Sequence, residues 1–377
     1  MRIVVVGGGV IGLLTAVDCV RAGAQVDLVE QAAIPSPSAT SYDQHRVVRT
    51  LHRGEQPLSL AAAGLHEAWV ETERRLGGRF YYRSGVLTVL AAPDVESELA
   101  VLNQAGVPVR ALTGRELSER CPQLRGFTSR QPAVLEPAAG TVRADRALLA
   151  AARWLRGHPA VRVHSHRRVT RVAESASVVL ADGGVLSGDS VVVAAGPWSR
   201  ELLPAGLSEG LTLKRQTMLS YTPSSFPAAW SRSPAVLGLG ATRDAWLMPP
   251  VAGTPVRLSA ASACRTVAEL TDRQTPAEWR THLIRRFSTV LAAFDPAAVT
   301  GATEGYYLTD EAGQGPLLVQ LGDGVWAFAA CGGMSFKFGP VLARTLADRA
   351  LGRTPGLTGL TSVDQPRQLT ADRPGTT

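Results

Sequence analysis

MRIVVVGGGVIGLLTAVDCVRAGAQVDLVE, residues 1–30, holds a strand, a glycine turn, a helix, a second strand and a terminal acid in consecutive order. Arg2 to Val6 reads as a short buried strand. Gly7, Gly9 and Gly12 stand at the positions of a G-x-G-x-x-G turn, and Val10 to Ala22 has the composition of the following helix. The first glycine permits the tight turn, the second lets a pyrophosphate approach the backbone, and the third allows close contact between helix and strand. The helix start offers unpaired amides and the positive end of a dipole to phosphate groups. After Gly23, the strand Gln25 to Val29 ends at Glu30, where a carboxylate accepts hydrogen bonds from an adenosine ribose. A lone glycine pattern would equally fit a turn without a ligand; the complete order predicts a dinucleotide site.

Working outward, the 377 residues allow two or three average domains or one interleaved pair. Because the nucleotide motif begins at residue 1 and no later run reaches the roughly 18 to 20 apolar residues of a membrane span, the expectation is a cytoplasmic protein without a membrane partner. Cys19, Cys121, Cys264 and Cys331 are far apart, which argues against a metal site or disulfide framework and for reduced, mostly buried thiols. The formal charge of +7 comes from scattered arginines, with no basic tract or zinc finger. It therefore gives no nucleic-acid signal.

From Gln31 to Ser41 the chain is rich in Ala, Pro and Ser, as suits a loop passing beneath the cofactor. It leads into HRVVR, where Arg46 and Arg49 present their heads to one side if the segment is helical. One or both serve a ligand carboxylate or a cofactor-side network, or else face the solvent. Leu58 to Leu76 reads as a helix, Arg79 to Leu90 as a strand, and Val95 to Gln104 as a helix. Ala144 to Arg156 is a predicted helix, and Asp189 to Ala195 a hydrophobic strand broken by Gly196, Pro197 and Trp198. Leu211 to Tyr221, Ala245 to Pro249 and Arg257 to Ala261 read as strands, and Pro276 to Phe287 as a helix. Trp246, Tyr306 and Tyr307 line either a pocket or a core, with the tyrosines the better pocket candidates because TDEAGQGPLL reads as a turn crossing between domains. The strand Val325 to Ala330 enters Gly332 and Gly333 before a helix ending at Ala350, and Lys337 lies in unusually apolar surroundings for a surface lysine. No nucleophile-elbow sequence appears, so hydrolase chemistry lacks support.

Taken together, Gly7, Gly9, Gly12 and Glu30, HRVVR at 45–49, VVVAAGPWS at 191–199 and GGMSFKFGP at 332–340 resemble the D-amino-acid-oxidase-like flavoprotein superfamily, in particular its monomeric sarcosine oxidase and N-methyltryptophan oxidase branch. The resemblance runs over nearly all of residues 1–350. It implies a fold of α/β and α+β character: a Rossmann-like FAD-binding domain (1–80, 140–210 and 310–350) interleaved with an antiparallel-sheet substrate domain (81–139 and 211–309). The remainder, 354–377, is expected to be a peripheral or disordered tail. The resemblance further implies FAD contacts from Gly7, Gly9, Val10, Ile11, Gly12, Glu30, Gln31, Thr40, Ser41, Arg46, Val169, Ala195, Gly196, Trp198, Gly332, Gly333, Met334, Ser335, Phe336 and Lys337. Arg49 and Lys337 become the substrate-carboxylate binders, Arg46 the organiser of the charge network beside the flavin, and Tyr307 an active-site residue.

Two departures from the family pattern carry expectations of their own. The branch often attaches flavin through a cysteine in a C-x-Y-T-like stretch, whereas this chain has GYYLTDE at 305–311 and Cys331 lies elsewhere, which implies noncovalent FAD. The family's oxygen-activating lysine aligns with Arg257, whose planar guanidinium is no geometric substitute for an ammonium group. The implied activity is oxidation of an N-substituted amino acid, an N-alkylglycine-like secondary amine, by a monomer that uses molecular oxygen as acceptor. The alternatives are a primary glycine or D-amino-acid oxidase, a flavin dehydrogenase with another acceptor, and a noncatalytic structural relative.

Overall fold

The computed structural model describes residues 1–125, 131–311 and 315–368. The chain forms two compact units, the first from Met1–Tyr42, Leu148–Thr212 and Tyr307–Thr377, the second from Asp43–Ala147 and Leu213–Tyr306.

The first unit is built on a seven-stranded sheet, in the spatial order Arg367–Gln368, Leu317–Gly322, Val325–Ala330, Ser190–Val193, Arg2–Val6, Gln25–Val29, Val161–His164. Its five strands from Val325–Ala330 to Val161–His164 run parallel, with Val5 opposite both Val192 and Leu28. Leu317–Gly322 runs antiparallel to Val325–Ala330. Parallel strands covered on both faces read as continuous apolar runs, which is what IVVV and VVV are. The helices Val10–Arg21 and Gly339–Ala350 pack against each other, and ten of the twelve residues of the first are buried, so its sequence shows little polar face. A three-stranded antiparallel sheet, Val169–Ala173, Ser177–Leu180 and Val185–Ser187, completes the unit.

The second unit centres on a mainly antiparallel nine-stranded sheet containing Leu211–Tyr221, Val256–Ala260, Ala245–Met248, Ala235–Leu239, Val86–Val89 and Ala133–Glu136. One pair, Ala235–Leu239 with Val86–Val89, is parallel. Helix Ala277–Ser288 buries Leu283 and Phe287 in a core with Leu87, Leu219, Leu247 and Leu258.

Several elements differ from the sequence reading. The unit carrying the Gly7 turn gives way at Tyr42 rather than near residue 80, because Arg46–Val48 and Tyr81–Tyr82 both pair with Gly140–Val142 in the second unit. Arg46–Val48 is a strand, not a helix. The expected helix 58–76 is two, Gln56–Ala61 and Leu65–Leu76, broken at Gly64 with φ +81°. The expected strand 79–90 divides at Gly85, φ +74°, and its halves join different sheets. Thr309 and Asp310 end the long strand Val299–Asp310 rather than forming a turn, while 312–314 of the same segment lie outside the described residues. Of the expected tail, residues 354–368 are built in: Leu360 and Val363 are buried, and Arg367–Gln368 adds an edge strand to the first sheet. Its remaining residues, 369–377, lie outside the described ones.

Candidate active site

In the first unit, Arg2–Val6 delivers the chain into the glycine turn. Gly7 N–H donates to Val29 O at 2.8 Å, and Val10 N–H donates to Ser41 Oγ at 3.1 Å. Gly7 has φ +110°, and a Cβ there would strike the Ala194 carbonyl; a Cβ on Gly12 would strike the Gly7 carbonyl oxygen. Both positions therefore require glycine. The amides of Ile11 and Gly12 carry no hydrogen bond among the described residues, although Ile11 is only 7% exposed. Nearly buried open donors at the positive end of a helix are matched to a phosphate group. That is the physical ground on which these residues fit the pyrophosphate of FAD.

Glu30 is buried at the strand end, but its oxygens also brace the turn. Oε2 accepts Gly8 N–H at 2.7 Å and Oε1 accepts Ala32 N–H at 3.0 Å. Each oxygen keeps a second acceptor site for a ribose hydroxyl. Gln31 and Thr40 are half-buried, and Val169 is buried at the start of its strand. Ala194 N–H bonds to Val6 O at 2.8 Å, which sets Ala195, Gly196 and Trp198 directly after a strand that neighbours the glycine turn.

The Gly332–Gly333 turn belongs to the same unit. The amides of Cys331 and Gly332 both donate to Leu308 O at 3.1 Å, and Ser335 Oγ donates to Cys331 O at 2.7 Å. A Cβ on Gly333 would stand 3.1 Å from the Tyr307 ring, so the structure brings Tyr307 onto this turn. Met334 and Phe336 are half-buried. Lys337 is 9% exposed, with its ammonium 5.9 Å from the Phe338 ring centre, which rules out an ordinary surface lysine.

The second unit carries the arginines. Because Arg46–Val48 is extended, positions three apart fall on opposite faces, and Arg46 and Arg49 have different environments. Arg46 donates to Asp43 Oδ2 and, at 3.1 Å, to its neighbour's carbonyl, His45 O. Arg257, 1% exposed, reaches the same carboxylate at 3.0 and 2.9 Å, Thr303 Oγ1 at 2.5 Å and Ser220 Oγ at 2.9 Å. Burial alone would raise the Asp43 carboxyl, but the Arg46 and Arg257 charges outweigh it and hold the group well below the usual carboxylate range. Arg257 is thus committed to an internal ion pair. Burial draws the Arg49 guanidinium down from its ordinary value, against the opposing charges of Glu136, Glu55 and Glu98. The side chain of Arg49 is half-buried and makes no hydrogen bond or ion pair among the described residues.

Tyr306 is part of the second unit's core. Its hydroxyl bonds Thr271 Oγ1 at 2.8 Å and its ring lies 5.3 Å from the Arg215 guanidinium. Trp246 is half-buried on its strand. Asp43 was missed in the sequence because, beside its local partner Arg46, the buried arginine it neutralises, Arg257, is 214 residues away. Glu136 left one signal, an acid closing the apolar run AVLE.

His45 is fully buried, and neither ring nitrogen has a partner among the described residues. Burial, reinforced by the Arg257 charge, pushes its pKa down to about 3. The unfolded imidazole binds a proton below about 6.5, so between that value and about 3 the unfolded state holds the extra proton and stability rises with pH. The slope from this one group is up to about 1.4 kcal/mol per pH unit. Urea unfolding across this range should therefore give a clearly flatter pH dependence for His45→Gln than for the unsubstituted protein. Identical slopes would remove His45 as the cause.

The sequence pattern of the family described as FAD dependent oxidoreductase matches residues 2–349. Peroxisomal sarcosine oxidase of Mus musculus is 25% identical over 250 residues, 63% of this chain and 61% of that protein. N-methyl-L-tryptophan oxidase of Yersinia pestis (strain Pestoides F) is 26% identical over 217 residues, 54% of this chain and 55% of that protein. The alignments thus span less than two thirds of these relatives' lengths. Among solved structures, the open form of NikD, an unusual amino acid oxidase essential for nikkomycin biosynthesis, superposes with TM-score 0.78 at 19% identity, covering 97% of each chain. L-proline dehydrogenase from P. horikoshii superposes with TM-score 0.77 at 17% identity, covering 94% of each. At these identities the superpositions establish the fold. With the match running from the first strand to the last turn of the helix behind Lys337, this chain belongs to the FAD dependent oxidoreductase family.

Proposed function

We propose that this protein is an FAD-dependent amine oxidoreductase that oxidises an N-substituted amino acid, with N-alkylglycine-like secondary amines as the substrate class. The observation that carries this reading is Arg49, a half-buried guanidinium with no hydrogen-bond or ion-pair partner among the described residues, in a chain whose glycine turn is built for a dinucleotide. An open fork of N–H donors matches a carboxylate in bidentate geometry. In the other unit, Lys337 is proposed as a carboxylate-binding cation and Tyr307, on the Gly332–Gly333 turn, as an active-site residue. Bound FAD would supply a hydride acceptor for the carbon beside the substrate nitrogen. The residues of this chain hold the acid end, orient the amine and exclude water, and the imine product is then hydrolysed. Sarcosine oxidase and N-methyl-L-tryptophan oxidase, by name, act on N-methylated amino acids, which supports the N-substituted class.

Oxygen is the proposed acceptor. A dehydrogenase passing electrons to another carrier is the second reading, favoured by the pairing of Arg257 with Asp43, which offsets the positive charge at that position. The test is a panel of N-alkylglycines, matched primary glycine and D-amino acids, and their esters, followed by anaerobic flavin bleaching and product mass. N-alkylglycines should bleach the flavin at least about tenfold faster than the primary amines and esters, a difference of 1.4 kcal/mol in barrier. Preference for a primary D-amino acid would overturn the substrate class. Stoichiometric peroxide on admitting air supports oxygen as acceptor, and reoxidation only by an added carrier supports the dehydrogenase. We take the flavin as noncovalent, so denaturing the same preparations should release it.

A further inference from the structure

We infer that Glu136 is a positioning residue that sets Arg49 and keeps its guanidinium open for a ligand carboxylate; the inference rests on the reading of Arg49 as the carboxylate binder. Glu136 ends the strand Ala133–Glu136, 1% exposed and opposite Val86 in the sheet. Its carboxylate turns away from the ladder to the chain that follows Arg49. Oε2 accepts Thr50 N–H at 2.7 Å and Oε1 accepts Leu51 N–H at 3.2 Å. These are charge-assisted bonds from a buried acid, and they fix the backbone at the two residues immediately after the arginine.

A buried carboxylate that reaches the two residues after an arginine could also close on that arginine as a salt bridge. Here it does not. Glu136 and Glu98 both act on Arg49 as charges, yet Glu136 is held by two amides and Glu98 by Gly54 N–H at 2.7 Å. Arg49 keeps its counter-charge without losing its donors. Segment 50–54 is held by these two acids together with Ser59, whose Oγ accepts His52 N–H at 2.9 Å, and of the three only Glu136 grips the two residues that directly follow Arg49.

The position and the charge of Glu136 predict opposite results, which makes the inference testable. In Glu136→Gln the amide can accept one of the two N–H groups but turns its own NH2 on the other. If charge alone mattered, losing the negative group would tighten anion binding to Arg49. If position matters, binding weakens. The probe is N-acetylglycine, which carries the carboxylate but no oxidisable amine, titrated against the FAD-loaded protein by the change in flavin absorbance, with N-acetylglycinamide as neutral control. The expected result is about tenfold weaker binding of N-acetylglycine, unchanged response to the neutral amide, and unchanged flavin content. Glu136→Asp, whose shorter arm reaches one amide, should fall between the two and carries the test if the glutamine variant does not fold. Wild-type or tighter binding in Glu136→Gln, alongside loss in Arg49→Gln, would overturn the inference and leave the reading of Arg49 standing. Wild-type binding in Arg49→Gln would overturn that reading, and the inference with it.

Discussion

Gly12→Ala should strip FAD from the protein, weakening its binding by at least about 100-fold, the scale of loss that follows a displacement of about 1 Å. The added Cβ has no space, since it falls on the Gly7 carbonyl oxygen, which is backbone and cannot rotate away. The helix start must then move off the strand and carry the open Ile11 and Gly12 amides with it. Overpacking of this kind also costs about 1–3 kcal/mol of stability, so the melting temperature should fall. Gly206→Ala, where a Cβ meets nothing within 4 Å, is the control and should keep its flavin. The measurement is the ratio of flavin to protein absorbance after reconstitution and gel filtration. Stoichiometric flavin in Gly12→Ala would show that the turn does not hold the cofactor.

Asp43→Asn is expected to produce the largest loss of stability, about 3–5 kcal/mol, because it leaves the buried Arg257 guanidinium uncompensated. Adding Arg257→Met should recover part of that loss, since a buried pair exchanged for apolar groups is often near neutral while half a pair is not. The pH dependence has a definite sign. A carboxyl held below its unfolded value contributes stability that is complete above about 3.9 and disappears as pH falls through its lower folded value. That acid limb should be missing from Asp43→Asn. Equal urea midpoints for Asp43→Asn and the unsubstituted protein would contradict the buried ion pair.

The parts of this molecule that were legible in its sequence are those whose constraint is local. The Gly7 turn could be read because strand, glycines, helix and acid lie within thirty residues, and its predicted helix, 10–22, is Val10–Arg21 in the structure. Helix Gly339–Ala350 was legible for the same reason. The splits at Gly64 and Gly85 were not, because an isolated glycine inside a periodic run is compatible with either continuation or a break. Ala133–Glu136, Ala235–Leu239 and Leu317–Gly322 escaped notice as short, largely apolar stretches with no clear alternation. The open donors of Arg49 and the closed ones of Arg257 are indistinguishable as letters. Their difference comes from Asp43 and from Glu136, acids brought in by tertiary pairing that no local pattern encodes.

Whether the glycine turn loads FAD and the protein uses it to oxidise a carboxylate-bearing amine is decided by one anaerobic experiment. The purified protein is saturated with FAD, freed of excess, and mixed with N-alkylglycines in the absence of oxygen while the flavin absorbance and the product mass are followed. The expected result is one flavin per chain, bleaching by N-alkylglycines, and recovery of an oxo acid with the smaller amine or of the corresponding carbonyl fragment. Flavin that binds and stays oxidised with every amine carrying a free carboxylate, or a chain that retains no flavin, would contradict it.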